Sequence, residues 1–337
     1  MARYVKRGKV WQYELSVKGP NGKYKMIRKS GFKTKSEAIA EASSLESQIK
    51  QGFKVNSKNL LLSEAFLEWM EVFKKDKIES STYRTYKSTL AYINKYFPSY
   101  RVKEMDRIQY QYGINEASKT LSDGTIKNFN RQLRSCVKFM VDEGIIQSDF
   151  TQKVAIKGQK VVKENQVKFL NFSEFEKFIS YIKNIIDPSD TYPIIFYIGA
   201  MTGMRYSEVT GLTWDNIDFD NDIIKVRQTW RYDESSFGPT KNSSSIRDIV
   251  IDGSTKMVLW RYKHRQEKLF QELELSDPNP NNLVCWHPRR GIIINSEANK
   301  ALKKICEEIG LGHHITTHGL RHTHASVLLY KHVNIMT

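Results

Sequence analysis

Thr202-Gly203-Met204-Arg205 and, far downstream, His318-Gly319-Leu320-Arg321-His322 are the two stretches from which the rest of this chain is read. An arginine presents a flat fork of donors that holds two phosphate oxygens at once, and a histidine beside a second arginine adds another donor. Two arginines and a histidine aimed at one phosphodiester stabilise the charge that develops on five-coordinate phosphorus. The pair therefore points to phosphate chemistry on DNA.

The segments next to Arg205 place it rigidly. Residues 192–202 read as an apolar helix ending at Gly203, where glycine lets the chain turn tightly so that Arg205 leaves the end of a packed element. Ahead of it, Asn171 or Ser173 caps a helix carrying Phe175, Phe178 and Ile182. Behind it come a short amphipathic helix over 207–212, the run Trp214-Asp215-Asn216-Ile217-Asp218, and strand signals at 223–230 and 246–251. Pro239-Thr240-Lys241-Asn242 lies between those strands and puts Lys241 on a hairpin, within swing of a leaving oxygen; most hairpin lysines are merely solvated.

Further outward, residues 10–17 alternate, with Trp11, Tyr13, Leu15 and Val17 on one face and Gln12, Glu14 and Ser16 on the other. Gly19-Pro20-Asn21-Gly22 supplies a turn, and residues 24–28 return as a strand in a stretch that bears Lys23, Lys25, Arg28 and Lys29. Thr34-Lys35-Ser36-Glu37 has the form of a capping box, followed by the stripe Ala38, Ala42, Leu45 and Ile49. The result is a minidomain whose basic sheet face suits a major groove, or else is a solvated basic hairpin. Ser63 is expected to cap a helix with Phe66, Leu67, Met70 and Phe73 inward, and Thr82 to begin one with Tyr86, Leu90, Ile93 and Phe97. Another lies around 105–115. A longer helix over 122–142 buries Ile126, Phe129, Leu133, Val137 and Met140 and turns Lys127, Arg131, Arg134 and Lys138 the other way, spaced to meet successive phosphates or simply water. Gly144 ends it, and the lysine-rich span 153–168 reads as an extended linker.

Composition agrees with a polyanionic partner. The 337 residues carry a formal charge of +16, unevenly spread: residues 1–60 hold 14 basic and 4 acidic groups (net +10), residues 61–168 hold 19 and 13 (net +6), and the remainder 20 and 20 (net zero). The first half is thus suited to gripping a backbone, and the second to placing a few charges for chemistry. An acidic membrane surface and plain solubility are the competing explanations of the charge. Three cysteines without paired spacing argue against a disulfide framework and fit the cytoplasm, and no apolar run approaches the ~20 residues that span a bilayer.

Gly199-Ala200-Met201-Thr202-Gly203-Met204-Arg205-Tyr206-Ser207-Glu208 with Leu212-Thr213-Trp214-Asp215 resembles the first arginine box of the tyrosine recombinases, the phage integrase family. Thr240-Lys241-Asn242 with Ser245-Ile246-Arg247 is similar to that family's lysine hairpin, and Thr317-His318-Gly319-Leu320-Arg321-His322-Thr323-His324 to its second arginine box. The resemblance implies an α+β, mostly helical chain of the temperate-phage and conjugative-transposon type. Its parts would be a three-stranded sheet plus helix that binds arm-type DNA (1–58), a helical core-binding domain (59–160) and a mainly helical catalytic domain with a small sheet (161–337). It implies Arg205, His318 and Arg321 as the phosphate-activating set, Lys241 as the general acid for the departing 5′-oxygen, and Glu208 as the buttress of Arg205. It also implies a site-specific recombinase that cleaves and rejoins double-stranded DNA through a 3′-phosphotyrosine, with neither metal nor other cofactor. Such an enzyme works as a tetramer at synapsis on core-type and arm-type attachment sites, with accessory bending or excision factors.

The family's nucleophilic tyrosine follows the second arginine at a greater distance than the 16 residues that separate Arg321 from Thr337, so it is expected outside this chain. Tyr330, nine residues after Arg321 in an apolar helix, is expected to point into packing. On that expectation the alternative is a binding-only protein that occupies attachment sites. A metal hydrolase built on His318 and His322, four apart with His313, His314 and His324 near, competes less well, because no glutamate stands between the pair and no cysteine or carboxylate lies close in sequence.

Overall fold

A computed structural model describes residues 2–18, 24–50, 59–159, 167–240, 242–274 and 277–332. The chain divides into two compact units, Met1–Val162 and Lys163–Thr337.

The first unit holds two separate apolar clusters. Strands β1 (Arg3–Arg7), β2 (Val10–Lys18) and β3 (Tyr24–Phe32) form an antiparallel sheet in that order, packed on helix α1 (Lys35–Lys50). The alternation in β2 buries Tyr13 and Leu15 against Ala42, as expected, but Gln12 on the opposite face is buried too, where a register shift interrupts the pairing of β2 with β3. The capping box forms as read in its Thr34 half, and only its return contact is shifted, to Lys33. The Glu37 N–H donates to Thr34 Oγ1 at 3.2 Å, while the Glu37 carboxylate accepts from the Lys33 N–H at 2.9 Å. The Gly19–Gly22 turn lies outside the described residues.

Helices α2 (Leu62–Phe73), α3 (Ser80–Tyr96), α4 (Arg107–Ser118) and α5 (Asp123–Asp142) enclose the second cluster. In α2 the reading needs correction: Glu64, not Ser63, makes the cap by accepting the Leu61 N–H, and the buried face is Leu62, Phe66, Trp69 and Met70, with Leu67 and Phe73 exposed. The stripe of α5 is as read, with all five expected residues buried, Ser122 capping its start and Gly144 in the left-handed conformation after its end. The span after α5 is less free than a linker. Val154 and Ile156 pack on the helical core, and the Gln159 N–H donates to Leu121 O at 2.9 Å.

In the second unit, α7 (Tyr192–Thr202) is apolar on every side and therefore central. Helices α6 (Phe172–Ile185), α8 (Tyr206–Thr210), α10 (Asn295–Glu308) and α11 (Thr317–Tyr330) pack around it, and α9 (Gly253–Glu272) completes the helical set. Asn171 caps α6 reciprocally with Glu174. A sheet of β4 (Ile217–Asp218), β5 (Ile223–Val226) and β8 (Arg247–Val250) pairs in that order, and β6 (Thr229–Arg231) with β7 (Ser236–Gly238) makes a separate ribbon. The single strand expected over 223–230 is thus two strands. Val226 belongs to the main core, whereas Trp230 packs into a satellite core with Leu283 and Ile292, so the chain turns away at 227–228.

Gly203 ends α7 at φ +62°, and a Cβ there would come within 2.7 Å of His324 Cδ2. Gly203→Ala is expected to destabilise the second unit by about 1–2 kcal/mol from the left-handed backbone, with more from displacing the imidazole. Thermal and denaturant melting of the variant beside the parent chain would measure it.

Candidate phosphate-binding site

Arg205 follows directly from the turn at Met204, as the residue before α8. Its main-chain N–H donates to Glu208 Oε2 at 3.0 Å, and its Nη1 donates both to Glu208 Oε1 at 2.7 Å and to Ser245 Oγ at 2.9 Å. Glu208 is only 1% exposed, so a charged side chain there must be met on every side. Burial opposes its ionisation, but donors from Arg247 and Arg205 outweigh burial and hold the carboxyl below its ordinary value. Arg247 Nη2 supplies the remaining contact at 3.0 Å on Oε2, while its Nη1 donates to Ser245 O.

The second arginine sits on α11, whose start is tightly held. Thr316 Oγ1 accepts the Gly319 N–H, and Thr317 donates its N–H to Asn299 Oδ1 at 2.8 Å and its hydroxyl to Asn295 Oδ1 at 2.7 Å. Leu320, Thr323 and Val327 form the buried stripe, and the Thr323 hydroxyl oxygen accepts the Leu170 N–H at 2.9 Å. Against α7, Leu320 lies on Gly199, the His324 ring meets Ala200 O at 3.1 Å, and Arg321 Nη1 donates to Gly203 O. One helix end thus supports both arginines.

His318, one turn before Arg321, is exposed, and its ring stands edge-on to His322 at 4.7 Å between centroids. Partial burial, together with His322, Arg321 and Arg205, lowers its pKa, so its neutral form is favoured near pH 7. Arg321 is itself pushed down by burial and by the nearby positive charges of Arg205 and Arg247. Two arginines, a third behind them and a histidine therefore share one field, with Glu208 as the counter-charge. Among the described residues no group of three or more His, Cys, Asp or Glu is placed to hold a metal ion.

Lys241 lies outside the described residues. Beside it, the Thr240 hydroxyl donates to Asn242 O, and Asn242 O also accepts the Ser245 N–H at 2.9 Å, which brings the chain to the serine that Arg205 contacts. Tyr330 is not directed into packing as expected: it is 64% exposed, with its ring stacked on Phe172 at 4.7 Å. Nine residues after Arg321, it is half a turn around α11 and about 13.5 Å along it, on the face opposite the arginine. Arg247 and Ser245 are the residues whose part the sequence reading missed. Both stand in the quoted hairpin box, but only the fold brings that segment to Glu208.

The basic residues of the first unit are less uniform than their charge suggests. Arg28 pairs across strands with Glu14, and its Nε is 3.1 Å from Glu14 Oε1. Lys25 pairs with Val17, in the other row of the pleat, so Lys25 and Arg28 do not share a face; Lys23 lies outside the described residues. On α5, Lys127, Arg131 and Lys138 are exposed, and Arg134 is tied to the buried Asp149 at 3.2 Å. Arg131 also lines a cleft of about 640 Å³ between α3 and α5, with Ser81, Thr82, Thr85, Tyr86 and Gln132.

Comparison with known proteins covers the same three regions. Residues 168–337 match the phage integrase family, residues 2–49 an arm DNA-binding domain, and residues 61–118 the N-terminal SAM-like domain of phage integrases. A tyrosine recombinase XerC-like protein of Caldanaerobacter subterraneus subsp. tengcongensis is 26% identical over 354 residues, spanning 99% of this chain and 89% of its own. The ICEBs1 integrase of Bacillus subtilis is 24% identical over 345 residues, spanning 96% and 90%. In fold, the chain is similar to the Tn1549 transposon integrase in complex with circular intermediate DNA (TM-score 0.66, 15% identity, 82% of this chain and 89% of that one). It is also similar to the lambda integrase tetramer bound to a Holliday junction (TM-score 0.58, 14% identity, 96% and 90%). With its second unit matched almost end to end and both arginine boxes meeting in one cationic cluster, the chain belongs to the phage integrase family.

Proposed function

We propose that Arg205, Arg321 and His318 grip the scissile phosphate of a DNA strand, and that the protein acts as a site-specific recombinase that integrates or excises a mobile element. The observation that carries this reading is the convergence of two arginines, from boxes far apart in sequence, on one helix end, each with part of its fork uncommitted among the described residues. A tyrosine oxygen attacks phosphorus as its own proton is released to solvent, the bond to the 5′-oxygen breaks, and that oxygen takes a proton from Lys241. The phosphate remains on the 3′ end as a phosphotyrosine, and the reverse attack by a 5′-hydroxyl rejoins the strand. Side-chain cations supply the electrostatic stabilisation. Tyr330 faces away from the cluster and does not serve as the nucleophile.

The partner in this reading is double-stranded DNA. Residues 1–58 form an arm-binding domain, 59–160 a core-binding domain and 161–337 the catalytic domain. Lys23, Lys25 and Arg28 in the first, and Lys127, Arg131, Arg134 and Lys138 in the second, supply backbone contacts. The likeness to a tetrameric integrase on a Holliday junction supports a tetramer at synapsis. The cytoplasm is where such a substrate is met, and among the described residues no helix is long and apolar enough to cross a membrane.

The test is a duplex nicked at the exchange point. If the cluster holds the phosphate of a 3′-linked intermediate, the chain should bind a nick bearing a 3′-phosphate about tenfold more tightly than one bearing a 3′-hydroxyl. Arg205→Ala or Arg321→Ala should collapse that ratio towards one; an unchanged ratio in both counts against the assignment. In a proton NMR titration His318 should show its midpoint below 6.5 in the free chain and move upward when the 3′-phosphate duplex is added. The sign follows from its depressed value: the stability it contributes is present above the ordinary histidine pKa and is lost as the pH falls through the folded one, whereas a bound phosphate favours the proton. Removing residues 1–58 should weaken binding to arm-type DNA and flatten its salt dependence, and retention of both would contradict the domain division.

A further inference from the structure

We infer that Arg247 is a positioning residue of the phosphate site, acting through Glu208 to keep the fork of Arg205 open. The inference rests on the phosphate-site reading above, and its geometry is specific. Arg247 Nη2 takes Glu208 Oε2 at 3.0 Å, which leaves Arg205 a single side-chain contact on Oε1 at 2.7 Å. The other hydrogen of Arg205 Nη1 goes to Ser245 Oγ, so Nη1 is fully used while Nη2 and Nε hold no hydrogen bond among the described residues. Those two nitrogens form the edge that receives two phosphate oxygens.

Glu208 is almost completely buried, and a carboxylate there cannot leave an oxygen without a charged donor. With Arg247 absent, Oε2 would keep only the main-chain N–H of Arg205. The nearest way to restore its charge balance is for Arg205 to turn its open edge onto both carboxylate oxygens, which consumes the donors meant for phosphate. The charge count moves the same way. Arg205, Arg247 and Glu208 together carry +1; without Arg247 they carry zero, next to an Arg321 that already feels both arginines. Arg247 also donates to Ser245 O, so it sets the serine whose hydroxyl fixes Arg205.

The experiment uses the full chain and the two nicked duplexes, 3′-phosphate and 3′-hydroxyl, and reads the ratio of their affinities by fluorescence anisotropy. Arg247→Met should reduce the ratio from about tenfold to about twofold or less, the loss of one charged hydrogen bond. The double variant Arg247→Met/Glu208→Gln, which removes the uncompensated carboxylate, should recover most of the ratio. Arg247→Lys, which keeps the cation but not the fork, should fall between and is the measurement to use if Arg247→Met melts at a much lower temperature. A ratio unchanged in Arg247→Met, or in Arg247→Lys where the methionine variant does not fold, overturns the inference. A ratio lost in the single variant and not recovered in the double assigns Arg247 to the phosphate itself and overturns its role through Glu208. If the parent chain shows no preference for the 3′-phosphate, the phosphate-site reading fails first and the inference falls with it.

Discussion

A carboxylate with almost no access to water has to find its compensation inside the protein, and in this chain Glu208 finds it in two guanidinium groups and a main-chain N–H. Taking such a charge out of water costs several kcal/mol unless each oxygen is paired, so the partners are not optional neighbours. They fix the turn after α7, the start of α8 and the beginning of β8 relative to one another. The arginine that meets DNA in the proposed reading is therefore oriented by the folding of the second unit, before any ligand arrives. That is the kind of preorganisation on which electrostatic stabilisation of a developing charge depends.

The cationic field this creates is paid for locally. Burial and the neighbouring charges of Arg205 and Arg247 press on Arg321, and burial together with His322, Arg321 and Arg205 holds His318 towards its neutral form. Positive charges gathered in this way favour an anion among them. The basic excess of the first half of the chain is a different device: exposed, spread over a sheet and a helix, and in part already matched to carboxylates at Glu14, Asp123 and Asp149. Long-range attraction and local chemistry are thus assigned to different units.

Much of this was legible in the sequence because it is local. The stripe of α5, the cap at Asn171, the apolar run of α7 and its arrest at Gly203 depend on residues a few positions apart. The two arginine boxes were legible as motifs, although nothing in their spacing alone required them to meet. What escaped was set by distant partners. The break between β5 and β6 arises because Trp230 joins Leu283 and Ile292 in a second core, and a run of strand-forming residues does not say which core it will enter. Arg247 gained its meaning from a glutamate, and Ser245 from an arginine, about forty residues earlier. The opposite rows of Lys25 and Arg28, by contrast, follow from simple parity along a strand.

The acceptor for Arg321 is a peptide carbonyl, that of Gly203. A main-chain oxygen is present whatever side chain occupies the position, so this half of the junction between the boxes carries no side-chain identity of its own. What it demands instead is a shape, the left-handed turn that points the carbonyl outward from the end of α7. The alignment of the second arginine is thus written in backbone conformation, and its tolerance to substitution in the surrounding helices is limited by how well they preserve that turn, not by which groups they offer.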